Sequence, residues 1–362
     1  KFTTNLSQDA TAAGTRTLTL QGSTAGAGEF AGVIANAGAS AFTAVSKAGS
    51  GTWTLSGANT YTGATTLNAG ILNATTFASI NTASSIGRGS VSGSAADWIF
   101  GGGTLQYTSA AAASTNRLFT LGNAAGLTAT LDSSAVSAAH ALALTGTGTI
   151  ATGGTGSRTL TLTGSNTGDN TFAPVLGDGE GGSTSLVKTG DGHWILAGAN
   201  TYTGATTLGA SGGVNAGTLQ LSGAGKIGTG AVTVFGGTLD LNGTTQTVNQ
   251  LTLGGGAAGS EATTAIGAGD LRLGGNVTFN ASNNPDGASI SSTTGFLSLL
   301  GDRTFTVGNA TAAQDLTISA IIQDGDSTAR MLIKAGVGTL FLSGTNTYSG
   351  GTLISQGGSL QG

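Results

Sequence analysis

Residues able to do chemistry are sparse in this chain and rarely neighbours. The two histidines, His140 and His193, lie far apart with no carboxylate at ligand spacing, and there is no cysteine. Zinc ligation and Cys/His nucleophilic schemes therefore lack material. Gly209-Ala210-Ser211-Gly212-Gly213 spells G-x-S-x-G, and residues 177–182 and 223–228 both spell G-x-G-x-x-G. Each motif needs a strand, a sharp turn and a helix around it, and 66 glycines in 362 residues produce such matches by composition alone. Two acidic clusters stand out, Asp178-Gly179-Glu180 and Asp324-Gly325-Asp326. Clustered carboxylates suit glycoside cleavage or a weak Ca²⁺ site, yet both lie in glycine-rich stretches ahead of a lysine-bearing segment and read as solvated loops. No catalytic, cofactor-binding or metal-binding residue is assigned, and no cofactor is expected.

The elements that would have to position any site are set by an internal repeat. One segment occurs three times: Lys47-Ala-Gly-Ser-Gly-Thr-Trp53-Thr-Leu55-Ser-Gly57-Ala-Asn59-Thr-Tyr61-Thr-Gly63, then Lys188-Thr-Gly-Asp-Gly-His-Trp194-Ile-Leu196-Ala-Gly198-Ala-Asn200-Thr-Tyr202-Thr-Gly204, then Lys334-Ala-Gly-Val-Gly-Thr-Leu340-Phe-Leu342-Ser-Gly344-Thr-Asn346-Thr-Tyr348-Ser-Gly350. The copies define tandem units of roughly 141 to 146 residues. Arg16, Arg158 and Arg303 keep step with them, each preceding its lysine at nearly constant spacing. Ser85-Ile86-Gly87-Arg88-Gly89-Ser90-Val91 matches residues 225–232 at the offset that separates Lys47 from Lys188. A shorter period, roughly 20 residues, links Gly217-Thr218-Leu219-Gln220-Leu221 to Gly237-Thr238-Leu239-Asp240-Leu241. Gly103-Thr104-Leu105-Gln106-Tyr107 is a relative of both.

Within these segments apolar and polar residues alternate, as Trp53 and Leu55 do against Thr52, Thr54 and Ser56, which is the period of a half-buried strand. No stretch keeps a period of 3.6. The shorter period suits one coil of a β-solenoid, so the chain is expected to be all-β and one continuous β-helix over residues 1–362. At a strand spacing of about 4.8 Å, roughly 18 coils of about 20 residues make a rod on the order of 85 to 90 Å long. Lys1 and Gly362 both sit in repeat-like sequence without an amphipathic cap, which points to a segment of a longer chain or to an end covered by a neighbour.

Gly57, Gly198 and Gly344, each just ahead of an asparagine, read as turn glycines with positive φ, and Asn59, Asn200 and Asn346 as side chains bonding their own backbone. Tyr61, Tyr202 and Tyr348 read as corner-closing rings, with stacking against a sugar as the alternative. Thr-x-Thr pairs such as Thr17/Thr19, Thr52/Thr54 and Thr159/Thr161 skip coils at this spacing and read as ordinary exposed β-strand threonines. Lys and Arg number 12 against 16 Asp and Glu, a net charge of -4 without a basic cluster, so nucleic-acid binding is not expected. No apolar run is long enough to span a membrane as a helix.

The three segments, with Thr65-Thr66-Leu67-Asn68-Ala69-Gly70-Ile71-Leu72, Thr206-Thr207-Leu208 and residues 351–360 behind them, resemble the passenger-associated transport repeat of autotransporter passengers, at residues 47–72, 188–221 and 334–362. Ala197 and Leu340 depart from the pattern, where Ser and Trp are usual. The resemblance implies a right-handed parallel β-helix at the surface of a Gram-negative bacterium, with an outer-membrane barrel elsewhere in the full chain. It implies a non-enzymatic stalk or adhesin with host-cell, glycan or self contacts. A subunit of an extracellular filament joined through uncapped ends is the alternative, and a carbohydrate-active β-helix enzyme the second.

Overall fold

The computed structural model describes residues 1–6, 13–23, 26–90, 97–122, 126–284 and 286–362; Val91, the last residue of the match to residues 225–232, lies outside them. The described residues form a parallel β-helix: short strands with almost no helix, in which successive strands of one sheet alternate along the sequence with strands of another. The chain divides into two compact units, Lys1–Thr184 and Ser185–Gly362.

In the first unit one sheet runs Gly14–Leu20, Ala41–Lys47, Thr65–Leu67, Trp98–Phe100, Thr120–Leu121, Ala151–Thr152. A second runs Gly28–Phe30, Thr52–Leu55, Ile71–Ala74, Thr104–Tyr107, Leu127–Ser133, Arg158–Thr163, and a third joins Ala113–Thr115, Leu142–Leu144 and Asn170–Phe172. In the second unit, strands from Thr184–Lys188 to Thr352–Ile354 make one sheet, those from His193–Leu196 to Ser359–Gln361 another, and Thr245–Val248, Asp270–Leu273, Phe296–Leu299 and Ile321–Asp324 a third.

The alternation places the core. Trp194 and Leu196 pair in register with Leu219 and Leu221, Leu219 with Leu239, and all five are essentially inaccessible to solvent. Each such leucine contributes about 1.5 to 3 kcal/mol by leaving water, and in a solenoid the sum is taken coil by coil. The period between Gly217 and Gly237 is thus a true coil step.

Other coils are longer. Val45 pairs with Thr65, Leu186 with Thr206 and Leu332 with Thr352, the same short step in each repeat copy. Thr65, however, pairs with Trp98, and Val277 with Phe305, both much further along the sequence. Each repeat copy contains a short step, which recurs outside the copies from Val232 to Leu251, and other coils extend their corners into loops. Among the described residues the sheet that contains Thr52–Leu55 has six rungs in the first unit, and the one that contains Leu332–Ala335 has eight in the second.

Uneven coil lengths also hide a threonine column. Thr207, Thr233, Thr252, Thr278 and Thr306 are register partners on five successive rungs of the second unit and face outward, while Thr128 and Thr130 pair with Thr159 and Thr161 in the first. These threonines do not skip coils. The steps between them are unequal, as their numbers show, so no fixed spacing reveals them. Branched Cβ atoms pack well against cross-strand neighbours on a half-exposed sheet.

Candidate functional site

Each repeat copy places a lysine at the end of a strand with its side chain turned inward, and Lys47, Lys188 and Lys334 are all fully buried. Lys47 Nζ donates to the carbonyls of Ala48 at 2.8 Å, Gly49 at 2.8 Å and Ala69 at 3.0 Å. Lys188 Nζ donates to those of Thr189 at 2.9 Å, Gly190 at 2.7 Å and Ala216 at 2.6 Å. Lys334 Nζ donates to those of Ala335 at 2.9 Å and Gly336 at 2.8 Å. An ammonium has three donors and a buried one needs a partner for each.

Glycine makes this geometry reachable. Gly49, Gly190 and Gly336 have φ of 67°, 68° and 78°, which turns the chain so that its carbonyls converge on the ammonium. On the next coil Gly70 and Gly358 leave room for it: a Cβ there would lie 2.6 Å from Lys47 Nζ and 2.8 Å from Lys334 Nζ. Burial pushes the amines of Lys47 and Lys334 below their ordinary value. It pushes the Lys188 amine down to about 7, with nearby Asp191 acting in the opposite sense.

The asparagines tie neighbouring coils together. Asn59 Oδ1 accepts from the Ile34 amide at 2.8 Å and Asn59 Nδ2 donates to the Ser85 carbonyl at 2.7 Å. Asn200 Nδ2 donates to the Lys226 carbonyl at 2.8 Å, and Asn346 Oδ1 accepts from the Ile322 amide at 2.9 Å. These side chains bond across coils rather than to their own backbone. Gly57, Gly198 and Gly344 do not have the positive φ expected of them. Close approach is what excludes a side chain: a Cβ on Gly57 would lie 2.2 Å from the Gly32 carbonyl oxygen, and one on Gly344 would lie 2.4 Å from that of Ala320.

Tyr61 and Tyr202 are fully buried, and their hydroxyls bond to Thr65 Oγ1 and Thr206 Oγ1 at 2.7 Å. Their rings are covered by glycines of the following coil, since a Cβ on Gly87 or Gly228 would come within 2.7 Å of Tyr61 or 2.3 Å of Tyr202. This contact accounts for the Ile-Gly shared by residues 86–87 and 227–228. A ring so covered has no face for a sugar, which removes the stacking alternative for Tyr61 and Tyr202. Burial pushes the Tyr202 hydroxyl up to about 12.

The acidic clusters hold loops. Asp178 Oδ1 accepts from the Thr184 amide at 2.7 Å; Asp324 accepts from the Arg330 amide at 2.8 Å and from Ser349 Oγ at 2.7 Å; Asp326 pairs with Arg330 at 2.6 Å. The Ser349 hydroxyl lowers the pKa of Asp324, and Arg330 that of Asp326. Glu180 is exposed. Among the described residues no three His, Asp or Glu side chains group as metal ligands. His140 ends the 3₁₀ turn Ala138–His140 and His193 opens the strand His193–Leu196. Ser211 is exposed in a loop that leads into the strand Thr218–Leu221, and residues 177–182 and 223–228 also lead into strands. No motif therefore has the helix its chemistry requires.

The buried lysines are the feature that the residue types concealed, because lysine ordinarily marks a solvated position. Their signal was Lys-x-Gly at the end of an alternating run, followed on the next coil by Gly70, Gly217 or Gly358.

A family model described as "Passenger-associated-transport-repeat" matches residues 45–74, 186–221 and 332–361. The chain is similar to "Adhesin BmaC autotransporter" of Brucella suis biovar 1 (strain 1330), 36% identical over 231 residues, 63% of this chain. The match spans 6% of that relative's length. No solved structure matches. The three lysine-centred coils coincide with the three stretches that the passenger-associated-transport-repeat model matches.

Proposed function

We propose that this chain is a stretch of an autotransporter passenger that acts as a non-catalytic adhesin, its tandem units serving to extend a contact surface. Passenger-associated-transport repeats and an autotransporter relative indicate an extracellular, cell-surface protein of Gram-negative bacteria. The observation that carries the reading is the triple repeat, whose lysine and asparagine in the first two copies bond to the next coil and whose tyrosine hydroxyls are held internally by threonines. A fold that uses its best polar side chains internally leaves hydroxyls and amides outside, as in the column Thr207 to Thr306. Such a surface suits repeated weak contacts with a host-cell or abiotic surface, each small and summed by multivalency.

The test compares a producing strain with a strain lacking the gene for attachment to cultured cells and to coated surfaces, while surface exposure is checked by protease treatment of intact cells. Loss of attachment with surface exposure in the parent is expected. Equal attachment by the two strains would overturn the adhesin reading, and release of reducing sugar from a panel of glycans by the purified chain would overturn the non-catalytic one.

A further inference from the structure

The carbonyl partners of Lys47 and Lys188 come from two places, whereas those of Lys334, Ala335 and Gly336, both follow it directly. Ala48 and Gly49 follow Lys47 directly, but Ala69 belongs to the next coil. Thr189 and Gly190 follow Lys188 directly, and Ala216 again belongs to the next coil. Neither coil alone builds the site.

We propose that the first two repeats are each a latch, in which two successive coils form a carbonyl cage for a primary ammonium and the lysine supplies that ammonium, so that the two coils open and close together. Three features carry it beyond ordinary packing. Below the pH near 7 at which Lys188 releases its proton, a charged head, rather than the stem alone, meets the oxygens at 2.6 to 3.0 Å in the first two copies. Glycines at φ of 62° to 78°, namely Gly49, Gly70, Gly190, Gly217, Gly336 and Gly358, turn the chain around each lysine, and a Cβ on Gly70 or Gly358 would meet the lysine head itself. The second copy carries a longer loop, residues 209–214, between its two coils and still delivers the Ala216 carbonyl to the same place. An emptied cage is therefore a site for a small alkylammonium ion. The latch is independent of what the passenger binds.

The experiment is amide hydrogen exchange on the full chain carrying Lys188→Ala, with n-propylammonium as the probe and 1-propanol as its neutral counterpart. Protection is expected to fall by about tenfold or more in residues 184–190 and 206–217 together, while residues 332–361 keep theirs. Propylammonium restores it saturably and propanol does not. Loss confined to one of the two coils, or equal rescue by propanol, would overturn the latch, the second because packing of the stem then suffices. Should Lys188→Ala not fold, exchange in the unaltered chain decides: a shared opening free energy for residues 184–190 and 206–217 supports the latch, and separate ones overturn it.

Discussion

The first and second repeat copies differ where a sequence comparison would place the greatest weight, in the length between their paired strands, and agree where it would place the least. Thr52 pairs with Ile71, whereas His193 pairs with Thr218, a distinctly longer path along the chain. That path goes out through residues 209–214, where Val214 is 75% exposed, and returns through Asn215-Ala216-Gly217 as the first copy does through Asn68-Ala69-Gly70. Both lysines stay buried with three carbonyls each, and both tyrosines keep the threonine bond at 2.7 Å. What the fold preserves is the join between coils, and loop closure costs too little per added residue to oppose an insertion.

That equivalence can be broken most severely in the core. Leu55→Asp and Leu196→Asp each put a charge at a fully buried rung. Chemical denaturation of each variant is expected to show a loss of more than about 4 kcal/mol in the unit that carries it. Unchanged β-structure and melting temperature for either would place that leucine on the outside.

Two glycines of the second copy sharpen the division between loop and join. Gly217 has φ of 62° and its Cβ would lie 2.3 Å from the Gly192 carbonyl oxygen, whereas Gly212 has φ of 65° and nothing nearer than 3.7 Å. Gly217→Ala should cost about 3 kcal/mol and Gly212→Ala about 1 kcal/mol by the same measurement. Equal costs would mean that the backbone angle alone matters and the close approach to Gly192 does not.

The lysines set the pH response. The Lys188 amine titrates near 7 when folded and near its ordinary 10.5 when unfolded, so between these values the unfolded chain holds the proton and the folded one releases it. Stability of the second unit is expected to rise as pH climbs from about 7 towards 10.5. Lys188→Met should flatten that rise, read as the denaturation midpoint against pH. A midpoint that falls over this range would show that the three carbonyls hold the proton more strongly than burial releases it.

The smallest effect tests the tyrosines. Tyr61→Phe and Tyr202→Phe each remove one buried hydroxyl contact. Each should cost about 1 kcal/mol, nearly the same in both copies. A large difference between them would show that the insertion does disturb the join.

Alternation made the strands legible: Trp194 and Leu196 inward, Ile195 outward, follows from the sequence with no further information. So did the tandem organisation, because Lys47, Lys188 and Lys334 recur with whole segments around them. The coil length was legible only where the step is short, since elsewhere corners such as residues 75–90 and 308–315 lengthen without changing the strand pattern. Residue chemistry misled at the join itself. A lysine is ordinarily solvated and a Gly-x-Asn ordinarily turns the chain, but carbonyls of a neighbouring coil satisfy the first and crowd the second. Those oxygens belong to residues of any type, so no side-chain pattern announces them.

Burial of the basic residues also governs where this protein can be cut. Of 12 lysines and arginines, Lys47, Lys188, Lys334, Arg117 and Arg158 are inside. A protease that recognises a basic side chain must draw it fully into its own pocket, and at Lys188 that requires two coils to part first. In an exterior rich in such enzymes, the residues that hold the coils together are also the cleavage sites withheld from attack, and partial digestion would release fragments that end at the remaining exposed positions, among them Arg88 and Arg272.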